Sequence, residues 1–369
     1  SDLGINHYKQ PTKDILPKIH FVYIPPKSKD NLIVKALKFT TLSSHSTKKF
    51  KSSKLTLKLF KDIKSRCNRS LKKLGINGEV YLCRGGIGLK LFQSKSLDLS
   101  PLKSSPVLEY DLSKLNEFDF SQINSRKVSV IHLPKTKNFQ FKELENFRLS
   151  KIFAPHCKAR DFINLKIHPL ELLDISNTSV ESLDFCKNMP LKVLNISNTQ
   201  IKCIEPLSDK NMSHINLFMI KVKDLSPLKG MPIEEINFSG TDVKSVEPLG
   251  QSNRLRIVEM RATKVDDLSH LSECPIKKLI LPGSKVHSIS CLRYSPVKIL
   301  NLVGIQLSDY NVLRSMPLEK LSISPDLLPA NGLDLIMDLD LQYLLGPGDR
   351  DDQTKEQFLA KYCKIIETA

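Results

Sequence analysis

Apolar residues recur through most of the chain with a period of about 21 residues, as in the segment 190–207, which reads "PLKVLNISNTQIKCIEPL". When Leu191 is taken as position one of a unit, the other units from Leu170 onward follow at steps of 21 residues, with one step of 22. The same spacing extends backward to residue 86, where the units resemble each other less closely. A fixed period of this length predicts an array in which each unit packs on its neighbours.

The fourth and sixth positions of each unit predict a short strand. Both positions are apolar in all twelve units, and polar residues are common between and beside them. Such alternation is typical of a strand with one buried face. The fourth positions are Leu89, Tyr110, Ile131, Ile152, Leu173, Leu194, Ile215, Ile236, Val258, Leu279, Leu300 and Leu321.

The second half of each unit predicts a return limb that closes the coil. Positions 14 and 17 are again mostly apolar, and proline recurs at position 16, as at Pro206, Pro227 and Pro248. Proline can begin a short helical turn there without losing a needed N–H group. One coil cannot bury its own apolar face, but stacked coils share a continuous core.

The pattern decays after Leu328, so we expect the array to occupy residues 86–338 and a C-terminal cap to occupy 339–369. The segment 354–366 reads as an amphipathic helix that covers the last coil. Thr354 and Gln357 have the spacing of a capping box at its start.

The pattern Leu-x-x-Leu-x-Ile/Leu-x-x-Thr-x-Val resembles the leucine-rich repeat in a short, 21-residue form. The segment 224–243, "DLSPLKGMPIEEINFSGTDV", is similar to the arrays appended to bacterial Ser/Thr protein kinases. The resemblance implies an α/β solenoid, a horseshoe with parallel β-strands on its concave face. Threonine replaces the usual asparagine at position nine, as at Thr178 and Thr199, and we expect its hydroxyl to bond the turn backbone.

Charge is spread unevenly along the 369 residues, whose formal net charge is +17. Residues 1–85 hold 19 Lys and Arg against 5 Asp and Glu, whereas residues 86–369 are nearly neutral. We therefore expect a basic N-terminal head of small α+β structure over residues 1–85, followed by the nearly neutral repeat array.

A basic amphipathic helix is predicted within this head, over about residues 53–74. Apolar residues fall on one half of the helical wheel, and Gly75 stands where a helix would end. The opposite side would either bind an anionic partner (nucleic acid, anionic lipid or an acidic protein) or be a solvated face. The basic residues are Lys54, Lys58, Lys61, Lys64, Arg66, Arg69, Lys72 and Lys73.

The concave strand surface is the other candidate binding site. Polar residues stand between the two buried positions of most strands, and Phe218 and Met219 interrupt this polar set, which favours a contact patch there. Alternatively, the asparagines only solvate the strand face and pair side by side. The candidate residues are Asp174, Asn195, His214, Asn216, Phe218, Met219, Asn237, Glu259, Arg261 and Asn301.

Enzymatic chemistry is not expected. The cysteines and histidines show no zinc spacing, which predicts no metal or cofactor and favours buried free thiols in a reducing, cytoplasmic setting. Gly75, Gly78, Val80 and Lys90 are similar to a kinase glycine loop, but no His-Arg-Asp or Asp-Phe-Gly motif follows. No apolar run is long enough to span a membrane, and no signal peptide is seen.

The leading functional interpretation is a non-enzymatic scaffold that binds a protein partner on its concave face. One alternative is the regulatory or substrate-recruiting C-terminal portion of a larger Ser/Thr protein kinase, with its catalytic domain upstream of Ser1 or on another chain. Another is attachment to nucleic acid or an anionic membrane through the basic helix. The sequence leaves the partner, the oligomeric state and the fold of residues 1–50 open.

Overall fold

The computed structural model describes residues 64–65, 68–69, 71–83, 86–92, 98–99, 107–134 and 139–368. The chain forms two compact units, residues 1–134 and residues 135–369. The first unit thus contains the predicted head, the first two predicted coils and the strand of the third, while the head boundary after residue 85 stays a prediction from charge and repeat spacing.

The basic helix of the first unit ends where glycine predicts. Residues 64–65, 68–69 and 71–73 are helical, and Gly75 follows with φ +70°. The Ile76 N–H donates to the Leu71 carbonyl over 2.9 Å, and the Gly75 N–H donates to the Lys72 carbonyl over 3.1 Å. These two bonds form a Schellman motif, which satisfies the last carbonyls of the helix. Residues 53–63 of the predicted helix lie outside the described residues.

An antiparallel strand joins this head to the first coils. Strand β1 (Gly78–Cys83) pairs along β2 (Gly86–Phe92), which is followed in parallel by β3 (Val107–Lys114) and β4 (Val130–His132). Because β1 and β2 pair over six residues, the first coils have extensive contacts with the head. This pairing places β2 in the same unit as the head.

Ten short parallel strands form the second unit. They are β5 (Lys151–Phe153), β6 (Leu172–Asp174), β7 (Val193–Asn195), β8 (His214–Asn216), β9 (Glu235–Asn237), β10 (Ile257–Glu259), β11 (Lys278–Ile280), β12 (Ile299–Asn301), β13 (Lys320–Ser322) and β14 (Tyr343–Leu345). Each strand pairs with the next one along the chain within β5–β14.

The register of these strands confirms the predicted repeat. Leu194 pairs with Ile215, and Ile215 pairs with Ile236, so the fourth positions of successive units align. The one step of 22 residues does not disturb the ladder, because Ile236 pairs with Val258 in the same way. The extra residue is therefore accommodated in the connection between β9 and β10. All four side chains are almost completely buried.

A short 3-10 helix precedes β5 and forms part of the return limb after each strand from β5 to β12, and another directly follows β13. Such tight helices suit short connections, and proline stands near the start of several of them. They are Phe141–Leu144, Phe162–Ile167, Asp184–Cys186, Glu205–Leu207, Ser226–Leu228, Glu247–Leu249, Ser269–Leu271, Ser290–Leu292, Asn311–Ser315 and Pro325–Leu327.

The turn after the strand has a shared backbone conformation in the coils of β5–β12. Its eighth-position residue has a positive φ in every coil from β5 to β12: His156, Asn177, Asn198, Met219, Gly240, Ala262, Gly283 and Gly304. The next residue closes the turn where it is threonine, as expected. The Thr178 hydroxyl donates to the Ile175 carbonyl and the Thr199 hydroxyl to the Ile196 carbonyl, each over 2.7 Å.

The C-terminal region contains one more coil than the sequence pattern indicates. Helix α1 (Gly332–Asp338) leads into β14, where Leu344 pairs in register with Leu321 of β13. The strand ladder thus continues beyond residue 338. Helix α2 (Lys355–Thr368) follows, and the capping box is confirmed, since the Thr354 N–H donates to Gln357 Oε1 over 3.1 Å and the Gln357 N–H donates to Thr354 Oγ1 over 3.4 Å.

Candidate functional site

The strand face of the second unit is the surface formed by the half-exposed residues of β6–β13 and the residues that directly flank these strands. The middle residue of each three-residue strand is buried, and the residues on either side of it point to the opposite face. Its side chains therefore come from adjacent strands about 4.8 Å apart.

The polar residues that end these strands have a structural role. Asp174, Asn195, Asn216, Asn237 and Asn301 each accept a hydrogen bond from the backbone N–H two residues later, over 3.0–3.2 Å. These bonds hold the turn that leads into the left-handed position. The structure thus assigns an additional backbone role to residues that the sequence marked for binding.

A charged cluster replaces this arrangement in the coil of β10. Glu259 occupies the equivalent position, and its side chain is 10% exposed. Its Oε1 lies 2.6 Å from Lys278 Nζ, whereas its Oε2 lies 3.6 Å from Arg261 Nη1. Lys278 was not among the predicted site residues. It lies on the next strand from Glu259 and two positions earlier in its unit, so a comparison of equivalent positions does not bring the two together. The cluster carries two cations and one carboxylate.

His214 and Glu235 form a second contact on the same face. His214 Nε2 lies 3.7 Å from Glu235 Oε1 across β8 and β9. His214 Nδ1 also lies 2.8 Å from the hydroxyl oxygen of Ser213. The ring of this histidine, which was predicted from the sequence, therefore has a hydrogen-bond partner, Ser213, and a carboxylate nearby on its other side.

Phe218 and Met219 form an apolar patch at the turn after β8. Met219 is 53% exposed and has φ +58°, a backbone conformation that is unfavourable for an unbranched apolar residue. Its side chain lies over Gly240 of the next coil, where an added Cβ would be 2.4 Å from Met219 Sδ. Gly240 therefore leaves the space that Met219 occupies, and the half-exposed Phe218 stands beside it.

Part of the predicted basic patch lies within the described helix. Lys64 forms an ion pair with Glu79, and Arg69 Nε donates to the Ser65 carbonyl over 3.4 Å. Lys72 and Lys73 are exposed. The remaining residues of the patch, Lys54, Lys58, Lys61 and Arg66, lie outside the described residues.

A network of ionisable side chains covers the sheet of the first unit. The ring of Tyr81 lies over Gly88, and its hydroxyl donates to Glu109 Oε1 over 2.9 Å. His132 Nε2 lies 2.8 Å from the same carboxylate oxygen. Burial, together with the neighbouring Glu109, raises the pKa of Tyr81 far above its ordinary value, so the phenol stays protonated. The network links side chains from three strands.

The second unit also contains two open clefts beside the coils. One, of about 500 Å³, is lined by equal numbers of basic and acidic side chains: Lys202, Lys221, Lys223, Glu205, Asp224 and Asp242. The other, of about 670 Å³, lies against Phe162, Ile163 and Phe185. The balanced charge of the first cleft favours neither an anion nor a cation.

The described residues contain no cluster of metal-binding side chains, and burial alters the acidity of two of their cysteines. No group of three or more His, Cys, Asp or Glu side chains among them is placed to hold a metal ion. Burial raises the pKa of Cys186 to about 12 and also raises the pKa of Cys157, which keeps both thiols protonated. Within the same residues, no helix combines the length and apolarity needed to cross a membrane.

Comparison with solved structures identifies the fold. A leucine-rich repeat protein from Leptospira interrogans is 14% identical over 67% of this chain and 74% of its own, with a TM-score of 0.50. An internalin from Listeria monocytogenes is 16% identical over 68% of this chain and 71% of its own, with a TM-score of 0.46. No protein-family model matches the chain, and no curated protein matches it by sequence. At these identities the likeness concerns the fold alone, and the chain has the leucine-rich repeat fold that its sequence predicts.

Proposed function

We propose that this leucine-rich repeat protein is a non-enzymatic recognition scaffold whose strand face binds a protein partner. The observation that supports this most directly is the exposed Phe218–Met219 patch. Glycine or asparagine would fit the left-handed backbone of position 219 at lower cost, and both occur at the same position in neighbouring coils. A half-exposed apolar side chain at such a backbone position carries strain and suits a contact with another molecule.

The surroundings of the patch fit this role. The asparagines of neighbouring coils bond their own turns, so the polar surface beside the patch is held in a defined conformation. Arg261, two strands away, is exposed and has a carboxylate no closer than 3.6 Å among the described residues. A preformed surface with an apolar centre and a polar rim loses little conformational entropy on binding.

A photo-crosslinking residue placed at position 219 tests this function in the full chain. We expect it to capture a partner from the native cell extract, and the capture to be lost when Phe218→Ser is added. The matched control carries the same crosslinker at Tyr294, which is 88% exposed and lies at a 3-10 helix away from the strands. Equal capture at positions 219 and 294, or capture that survives Phe218→Ser, would contradict the proposal.

A further inference from the structure

The strand face of the second unit has opposite charge in its two halves. Each strand lies in a six-residue segment that begins one residue before the strand, and the eight segments fall into two groups of four. In β6–β9 these segments hold four acidic residues against Lys192, namely Glu171, Asp174, Glu234 and Glu235. In β10–β13 they hold six basic residues against two acidic ones, Glu259 and Glu319; the basic residues are Arg256, Arg261, Lys277, Lys278, Lys298 and Lys320. We call these surfaces the acidic half and the basic half.

Internal ion pairs neutralise only part of this charge. In the acidic half, Lys192 pairs with Glu171 over 3.0 Å. In the basic half, Lys298 pairs with Glu319 over 2.5 Å. Among the described residues, no ion pair involves Glu234, Arg256 or Lys277, which leaves a surplus of each sign on its own half.

The coils of β10 and β11 carry most of the surplus charge of the basic half. Lys278 holds Glu259 over 2.6 Å, while the Arg261 guanidinium stands further from the same carboxylate and is exposed. A guanidinium has five N–H donors in a planar fork that matches a carboxylate. Arg261 lies two strands from Phe218 and is therefore placed to bind a carboxylate of another molecule by donating hydrogen bonds to it.

We propose that the partner presents an extended segment of opposite polarity, with acidic side chains over the basic half and basic side chains over the acidic half. Within the acidic half, an apolar side chain of the segment contacts Phe218–Met219 in the coil of β8. This inference rests on the proposed function, since it specifies the partner of the same surface. Four strands span about 19 Å, which an extended chain crosses in about six residues, so the whole segment has about twelve. Complementary charge on both halves would fix the direction in which the segment lies.

The test uses two labelled peptides with the full-length protein. Both contain five glutamates, two leucines and five lysines. The block peptide has five glutamates, two lysines, two leucines and three lysines in that order, so that its leucines reach the coil of β8, and the other peptide alternates the charges. We expect the block peptide to bind at least tenfold more tightly at low salt, and to weaken as the salt is raised. A photo-crosslinker at its glutamate end should label the basic half, and one at its lysine end should label the acidic half.

A charge-reversal variant supplies the second readout. Lys277→Glu is expected to weaken the block peptide at least fivefold, whereas Lys285→Glu, an exposed lysine of the same coil that follows the turn, should change it less than twofold. Circular dichroism and thermal unfolding show whether both variants stay folded.

Three results would overturn the inference: equal affinity for the two peptides, crosslinks of both ends to both halves, or crosslinks confined to residues 1–85. The last would mean that the basic head binds the acidic end. The block peptide could bind no more tightly than the alternating one while the crosslinker at position 219 still captures a partner in a way that requires Phe218. In that case the proposed charge polarity is wrong and the proposed function stands. If both experiments fail, both proposals are wrong.

Discussion

Asp349 and Lys361 join the loop after the last strand to the closing helix, with Lys361 Nζ 2.6 Å from Asp349 Oδ1. The Asp349 side chain is 3% exposed and also accepts bonds from the Gly346 N–H, Gln353 Nε2 and the Tyr362 hydroxyl. The buried Asp349 carboxylate thus accepts hydrogen bonds from four donors, two in the segment between β14 and α2 and two in α2. The end of the solenoid is closed by this contact as well as by the apolar side of α2.

Asp349→Asn is expected to destabilise the protein by about 1–3 kcal/mol, because it leaves buried donors without a charged acceptor. Urea unfolding followed by circular dichroism measures the change. The matched control is Asp351→Asn, two residues away, whose side chain is 99% exposed and pairs with Lys320. The control should change stability by less than about 0.5 kcal/mol. Equal effects of the two substitutions would show that Asp349 does not hold the cap.

The contribution of Asp349 should depend on pH. Burial acts to raise the pKa of this carboxyl, but hydrogen bonds from Lys361 and Gly346 outweigh it and leave the pKa below the ordinary value of 3.8. A lowered pKa in the folded state means that the stabilisation is complete above the unfolded value and is lost as the pH falls through the folded value. The difference in unfolding free energy between wild type and Asp349→Asn should therefore be constant from pH 7 to about pH 5 and shrink by about pH 2. A difference that stays constant down to pH 2 would rule out this linkage.

Met219→Asn should raise stability while it weakens partner binding. Asparagine tolerates the left-handed backbone better than methionine, and Asn198 already bonds Asn177 across the preceding coils over 3.1 Å. We expect a gain of about 0.5–1 kcal/mol in urea unfolding. Capture by a photo-crosslinker placed at Phe218 should fall in the same variant.

Ala262→Gly is the control for that variant, since Ala262 has φ +49° and lies outside the apolar patch. It should stabilise the protein by a similar amount and leave capture at position 218 unchanged. If Met219→Asn lowers stability instead, the side chain of Met219 contributes to folding and the strain argument is wrong.

Gly88→Ala should disrupt the network of the first unit. An added Cβ would lie 2.3 Å from the ring of Tyr81, so the ring must move away from Glu109. We expect a loss of about 1–3 kcal/mol, typical of overpacking. In the background of Tyr81→Ala the same substitution should cost much less, and thermal unfolding of the four proteins gives the coupling. A cost that is independent of Tyr81 would place the strain elsewhere.

The repeat and its register could be predicted from the sequence because burial of one strand face imposes a strict period. Leu194, Ile215 and Ile236 share a position in their units, and a shift of one residue would turn each to the exposed face. The strand at Leu344 was missed because it lies 23 residues after Leu321, with helix α1 inserted in its coil. A search for a 21-residue period therefore does not detect a coil whose strand follows after 23 residues.

The candidate site was predicted less completely, since it depends on contacts between coils. The position of Asn216 in the pattern predicts exposure, but its bond to the Phe218 N–H depends on the turn geometry. Glu259 and Lys278 lie on adjacent strands and contact each other diagonally, and a comparison of equivalent positions pairs neither with the other. The charge difference between the two halves could have been found by counting charges coil by coil.

The common left-handed turn makes each coil from β5 to β12 an exchangeable module. Because β5–β12 share one turn conformation at one position, removal of a whole 21-residue coil would join two boundaries that already have matching backbone geometry. Duplication of a coil would do the same and would lengthen the strand face by one strand spacing. Evolution can thus adjust the reach of this surface by copying or deleting a segment of coding sequence, without redesigning the core on either side.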